Sequence, residues 1–349
     1  MNSLSRNSTE TTGTAAILND MTTIPASADR HGYRHRGSPE LTLSIPERDL
    51  SSISPSPCRP AAQLQPPPPS FNLSELQILN RTGSDGSNNP LYKVLHHAGK
   101  FYALKVVYYG GNENIRRQIL RQLSIFFGLD HPNVIKCHGV LDKADSGEIQ
   151  ILLDYMDGSL EGVHVPEETS IATLARQILS GLSYFHERKF VHGDVKPSNL
   201  LVDTLMQEVK LTEFGLSRII TQRAGPWGLS MIGYLSPERI NTDLNWGMYD
   251  GFSGDIWGLG LSLLQIYMGR YPFIDSIERL DDVARISFVI CMLEPPAPPV
   301  TASRDFRDFI SCCLQRDPAK RWTASQLLGH PFILRSTSHA VAGASTVQE

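Results

Sequence analysis

The run His192-Gly193-Asp194-Val195-Lys196-Pro197-Ser198-Asn199, followed at once by Leu200-Leu201-Val202, constrains this chain more than any other stretch. It gathers a carboxylate, a cation and a side-chain amide in one short loop, and the apolar triplet after it reads as a strand that ties the loop down. Moving a phosphoryl group needs a carboxylate to orient the accepting hydroxyl, a cation beside the transferred charge and an oxygen ligand for magnesium. Asp194, Lys196 and Asn199 can supply all three.

Such a loop is useful only on a scaffold with a real core. With 349 residues, 41% of them hydrophobic and 8% aromatic, the chain has the material for one large domain or two ordinary ones. A net charge of -4 leaves no electrostatic footprint for nucleic acid or for a membrane surface. The N-terminus is polar and has no apolar signal core, and the longest apolar stretch, Ile256 to Met268, is shorter than the ~20 residues that span a bilayer. It reads as a buried core helix. The five cysteines, Cys58, Cys137, Cys291, Cys312 and Cys313, form no C-x-x-C pair, so reduced thiols in an intracellular protein are expected.

Residues 1 to 72 are rich in Ser, Thr, Pro and Arg, end in the proline run 66 to 69 and hold too few large apolar side chains to offset ordering entropy. A disordered tail is expected. Within it, Arg34 and Arg36 precede Leu41 and Leu43, which reads either as chance in a low-complexity tail or as a docking peptide whose cations meet an acidic patch and whose alternate leucines enter small pockets. From Leu73 the text alternates as short strands and turns, with Phe101 to Val107 and Ile149 to Tyr155 as strands and Ile115 to Phe127 at helical period. After Gly158 helices dominate, the first from Ile171 to His186. A β-rich first lobe (about 73–156) and an α-helical second lobe (about 157–334) with a cleft between them give an α+β, two-lobed fold. Residues 335–349 read as a loose tail.

Several further stretches stand in a fixed order around the loop. Tyr102-Ala103-Leu104-Lys105-Val106 comes before it. Glu213-Phe214-Gly215, Ser236-Pro237-Glu238, Asp255-Ile256-Trp257-Gly258-Leu259-Gly260 and Arg321 follow. This order resembles that of the protein kinases, over residues 73 to 334. Val195-Lys196-Pro197-Ser198-Asn199, Tyr234-Leu235-Ser236-Pro237-Glu238-Arg239, Asp154-Tyr155-Met156-Asp157-Gly158-Ser159-Leu160 and Gly269-Arg270-Tyr271-Pro272-Phe273 narrow it to a plant-type MAP kinase kinase, and Leu41-Thr42-Leu43-Ser44-Ile45-Pro46 resembles the docking region of plant members.

The resemblance implies ATP and Mg2+. It makes Asp194 the catalytic base, Lys196 the γ-phosphate partner, Lys105 the α/β-phosphate partner, and Asn199 with Glu213 the metal ligands. Leu153 becomes the gatekeeper, Asp154 and Met156 the adenine-facing hinge, Ala103 and Leu201 the covers of its faces, and Gly86 part of the phosphate lid. His192, Gly193, Phe214, Glu238, Asp255 and Arg321 take structural or regulatory places. The implied partners are a MAP kinase as substrate and a MAP kinase kinase kinase upstream, with the cytoplasm, and also the nucleus, as the location.

The departures from the pattern carry as much information. The phosphate-covering loop has Ser84, Gly86 and Asn89 where glycines let backbone amides approach phosphates, and Pro90 lacks an amide. Gln122 stands where a glutamate would pair with Lys105, with Glu113 as the nearest other carboxylate; an amide forfeits charge assistance. Glu213 replaces an aspartate and moves its oxygens by about an ångström, and magnesium demands near-ideal octahedral geometry. Gly193 replaces the arginine that reads a phosphate on the activation segment, Met231 replaces a threonine, and Ser217, Thr221, Ser230 and Ser236 lack the family's paired spacing. Both halves of the usual switch are missing. Two readings result: a weakly active MAP kinase kinase not switched by loop phosphorylation, or a pseudokinase scaffold that binds cascade partners.

Overall fold

In the first third, the alternation of apolar and polar residues builds a five-stranded antiparallel sheet: β1 (Leu76–Ser84), β2 (Pro90–His96), β3 (Phe101–Tyr108), β4 (Cys137–Lys143) and β5 (Glu148–Asp154), in the order β1-β2-β3-β5-β4. These come from a computed structural model that describes residues 71–84, 89–203, 205, 207–212, 229–241, 250–277 and 279–335. Side chains alternate across a strand, so β3 sends Leu104 to one face, where it packs with Val94 and Leu152. Val107 on the other face joins Ile149 and Ile151 in the main core. Lys105 shares that inner face, paired in register with Ile151, as Ala103 is with Leu153.

Helix α1 (Glu113–Phe127) lies against β4. It starts two residues before the helix read from periodicity, because the Asn112 side chain accepts the amides of Asn114 and Ile115. Its buried stripe is Ile119, Leu123 and Phe126. After the hinge the chain forms a small sheet, β6 (Gly158–Ser159), β7 (Leu200–Val202) and β8 (Val209–Leu211). Helices follow: α2 (Glu168–Glu187), the short α3 (Leu229–Ile232) and α4 (Pro237–Ile240), then α5 (Gly251–Met268), α6 (Val283–Met292), α7 (Arg304–Cys313) and α8 (Ala324–Leu328). This is the two-lobed α+β architecture expected from the sequence.

The apolar run from Ile256 is the interior of α5, with Ile256, Trp257, Leu259, Leu261, Leu263, Leu264 and Ile266 all buried. No helix among the described residues is long and apolar enough to cross a membrane. Gly258 is there because the helix passes so close to the catalytic loop that a Cβ would sit 2.6 Å from the Val195 carbonyl oxygen. Cys137, Cys291, Cys312 and Cys313 are free thiols.

The two lobes are joined by polar bonds as well as by the hinge. Ile135 donates to the Leu211 carbonyl and Leu211 to the Asn133 carbonyl, both at 2.9 Å. Asn133 is itself buried and donates to Gln177 Oε1 and the Val209 carbonyl, each at 3.0 Å. The loop between α1 and β4 is therefore stitched onto β8.

Candidate active site

The loop that opened the sequence reading is held from below by Asp255, which is 1% exposed. Its carboxylate accepts the amides of His192 (2.8 Å) and Gly193 (2.6 Å) and His186 Nε2 (2.9 Å). His192 is buried. Its Nδ1 accepts the Asp194 amide at 3.2 Å, which leaves the proton on Nε2 to be donated to the Thr212 carbonyl at 2.9 Å. The ring is thus neutral: burial lowers its pKa below the ordinary 6.5, against the opposing pull of the Asp255 and Asp194 carboxylates.

That neutrality has a pH consequence. The unfolded imidazole takes up a proton below about pH 6.5 and the buried one only at lower pH, so stability is fully present above about pH 6.5 and falls as pH drops between the two, by up to ~1.4 kcal/mol per pH unit. Urea midpoints at pH 7.5 and 5.5 should separate accordingly, and a folded His192→Gln variant should show a smaller separation.

Gly193 has φ +76°, the left-handed region where a side chain is strained. The residue that removes the phosphate-reading arginine therefore also relaxes the backbone beside Asp194. Gly193→Arg should cost about 1–2 kcal/mol in a urea titration. Arg239, on α4, donates Nη1 to the Gly193 carbonyl. The sequence reading gave Arg239 no role; its place directly after Glu238 was the available signal.

Asp194 Oδ2 receives Lys196 Nζ at 2.9 Å and Asn199 Nδ2 at 2.9 Å, and Asn199 also donates to the Asp194 carbonyl at 2.8 Å. The carboxylate is fixed by these bonds, with Oδ1 turned to no described partner. Asn199, donating with its nitrogen, keeps Oδ1 for a hard cation, so its donor chemistry fits magnesium. Leu200 and Leu201 pair with Leu211 and Lys210 on β8, and this tie makes the loop rigid.

Above the loop, β5 ends at Asp154 and the chain leaves strand geometry through Tyr155 and Met156, the strand-to-hinge transition required of an adenine-facing segment. Among the described residues the Met156 amide has no backbone partner, whereas the Asp157 amide is taken by the Val202 carbonyl at 3.1 Å. Ala103 and Leu153 line one side, and Leu201 is partly buried on the other.

Asp154 does more than was expected of it. Its carboxylate takes His138 Nε2 at 2.7 Å from β4 and Lys210 Nζ at 2.9 Å from β8, bridging the lobes. Burial works to raise its pKa, but the hydrogen bonds from His138 and Lys210 prevail and hold the carboxyl well below the usual range. No local sequence pattern signals this bridge.

Lys105 is 3% exposed on β3. Gln122 is partly buried on α1, and no hydrogen bond joins it to Lys105 among the described residues. Glu113, the other carboxylate considered, is exposed in the first turn and pairs with Arg116 at 2.8 Å, so it is no substitute. Asn89 explains one lost glycine: it is 2% exposed and its Oδ1 accepts the Tyr108 amide at 3.1 Å, clasping the end of β3. The residue read from the sequence as the third glycine position of a phosphate lid is here a strand fastener.

Glu238 and Arg321 form a buried bidentate pair at 2.6 and 2.8 Å. Gly86, Glu213, Phe214, Ser217, Thr221 and the docking residues Arg34, Arg36, Leu41 and Leu43 lie outside the described residues. In two groupings with metal-ligand chemistry, Glu75–His96–His97 and Asp308–Cys312–His330, one histidine is hydrogen-bonded to the carboxylate. In each, the histidine beside the carboxylate accepts a backbone amide on Nδ1 at 3.1 Å and so carries its proton on Nε2 towards that carboxylate.

Residues 79–333 match the protein kinase domain family. Mitogen-activated protein kinase kinase 9 of Arabidopsis thaliana is 41% identical over 269 residues, 75% of this chain and 86% of the relative. Mitogen-activated protein kinase kinase 7 of the same plant is 41% identical over 271 residues, 76% and 86% respectively, and mitogen-activated protein kinase kinase 2 is 34% identical over 298. The chain belongs to the mitogen-activated protein kinase kinases. As a member of that family it has a protein kinase domain, the kind that uses ATP and a divalent metal. In this MAP kinase kinase a fully bonded Asp194–Lys196–Asn199 loop lies beneath a lobe in which position 122 is an amide.

Proposed function

We propose that this MAP kinase kinase is a low-turnover enzyme that transfers the γ-phosphoryl group of ATP to a hydroxyl in the activation loop of a MAP kinase, and that it works without phosphorylation of its own loop. The bonded triad of Asp194, Lys196 and Asn199 carries this reading. Asp194 Oδ1 orients the substrate hydroxyl and accepts its proton as the new O–P bond forms; the bond between the γ-phosphorus and the bridging oxygen breaks, and its electron pair leaves with ADP. Lys196 keeps the carboxylate in place and lends positive charge to the moving group. Magnesium, held by Asn199 and Glu213, would neutralise phosphate charge. Arg34, Arg36, Leu41 and Leu43 are proposed to recruit the MAP kinase.

Independence from loop phosphorylation follows from Gly193, whose lack of a side chain leaves no arginine to read a phosphate, and from the unpaired spacing of the loop hydroxyls. A second reading, a scaffold that binds cascade partners without catalysis, is favoured by one observation, the missing Gln122–Lys105 bond.

Incubation of the purified protein with ATP, magnesium and a kinase-dead MAP kinase separates the two. Phosphate is expected on the Thr-x-Tyr loop, and Asp194→Asn should reduce it by ~100-fold or more. Equal signals from the two proteins would favour the scaffold.

A further inference from the structure

Although Gln122 makes no bond to Lys105, helix α1 is tied to the sheet by charge nearer its N-terminus. Arg116 Nε donates to Asp142 Oδ2 at 2.9 Å, Nη2 reaches the same oxygen, and Nη1 donates to Glu113 Oε1 at 2.8 Å. A cation in the first turn faces the positive end of the helix dipole, so this arginine is unfavourable on its own helix. The carboxylates compensate for it.

Asp142 lies on β4. Its Oδ1 is buried with no hydrogen-bond partner among the described residues, so the whole hydrogen bonding of the carboxylate there goes to Arg116. An exposed ion pair contributes little. Here the two side chains are only 26% and 23% exposed, and two guanidinium nitrogens meet one carboxylate oxygen. Below this pair, Ile119, Leu123 and Phe126 seat the helix by apolar packing, which resists separation but allows sliding and rotation better than a directional bond does.

We propose that the Arg116–Asp142 pair is the positioning anchor of helix α1, holding it against β4 in place of a lysine–glutamate pair between Lys105 and position 122. Arg116 is a positioning residue, and its effect on the cleft rests on the nucleotide binding proposed above.

The test uses the full chain and two readouts that need no phosphoryl transfer: hydrogen exchange over residues 113–127, and affinity for a fluorescent ATP analogue. Arg116→Met should speed α1 exchange by about ten- to hundredfold and weaken nucleotide affinity about tenfold. The swapped pair Arg116→Asp/Asp142→Arg should regain most of the protection. Adding Gln122→Glu to Arg116→Met should regain the affinity through Lys105.

Unchanged α1 protection in Arg116→Met would overturn the anchor. Faster exchange with unchanged affinity would reduce the pair to a structural one and overturn the positioning role. Should Arg116→Met not fold, Asp142→Asn, which preserves shape, carries the same exchange measurement. If no variant and no unsubstituted protein binds the analogue, the proposed function falls, while the exchange data still decide the anchor.

Discussion

Arg321→Met should destabilise the protein by about 3–5 kcal/mol, because it strands the buried Glu238 carboxylate without its charged partner. Both side chains are within 1% of complete burial, and Arg321 also donates to the Gln315 and Ser253 carbonyls. For a domain whose total stability is ~5–15 kcal/mol, that loss is a large part of the whole. Urea unfolding followed by fluorescence reads it directly. The double variant Arg321→Met/Glu238→Leu should recover much of the loss, since an apolar pair removes the stranded charge. A double variant as unstable as the single one would show that the carbonyl bonds of Arg321, rather than its charge, hold this corner together. The effect should also reach the catalytic loop, because Arg239, the residue after Glu238, donates to the Gly193 carbonyl.

The second large effect is a gain. Gln122→Glu together with Glu213→Asp should raise phosphoryl transfer to a kinase-dead MAP kinase by ~100-fold. The first change puts a carboxylate at the α1 position that the family's pattern pairs with Lys105, and charge-assisted bonds are roughly twice as strong as neutral ones. The second brings the carboxylate proposed to bind magnesium back by about an ångström, a displacement that can be worth ~100-fold in rate. Steady-state rates at saturating ATP check it. An unchanged rate would mean that the amide and the longer carboxylate are not what limits turnover, and attention would pass to the lid that has lost its glycines at Ser84 and Asn89.

Much of this site could be read along the chain. Asp194, Lys196 and Asn199 are local in sequence, their side chains meet within one loop, and the strand after them is a run of three apolar residues. The long helix of Ile256 to Met268 and the alternation around Lys105 are equally local signals, because period and composition act over a few residues. Helix α1 was legible from its stripe, though its start was set by a capping side chain, Asn112, that periodicity does not register.

The rest depended on partners far apart in the chain. Asn89 looked like a lost glycine; only the fold puts it beside the Tyr108 amide. Asp154 looked like a hinge residue; only the fold sets it between His138 and Lys210. Gln122 was legible as a substitution, but the compensation at Arg116 was not, because Asp142 stands on another element and is one acid among many in the text.

By itself the sequence determined which chemistry is possible here: a carboxylate, a lysine and an asparagine at fixed short spacing, the order of the elements around them, and the residues that depart from the family. Only the tertiary structure decided how those departures are borne. A substitution's cost is set by what can reach the vacated or altered position, and that depends on distances in space. Asp255 beneath the loop, Arg239 on Gly193 and Asp142 on Arg116 are brought there by packing of distant segments, which no local pattern of residues encodes.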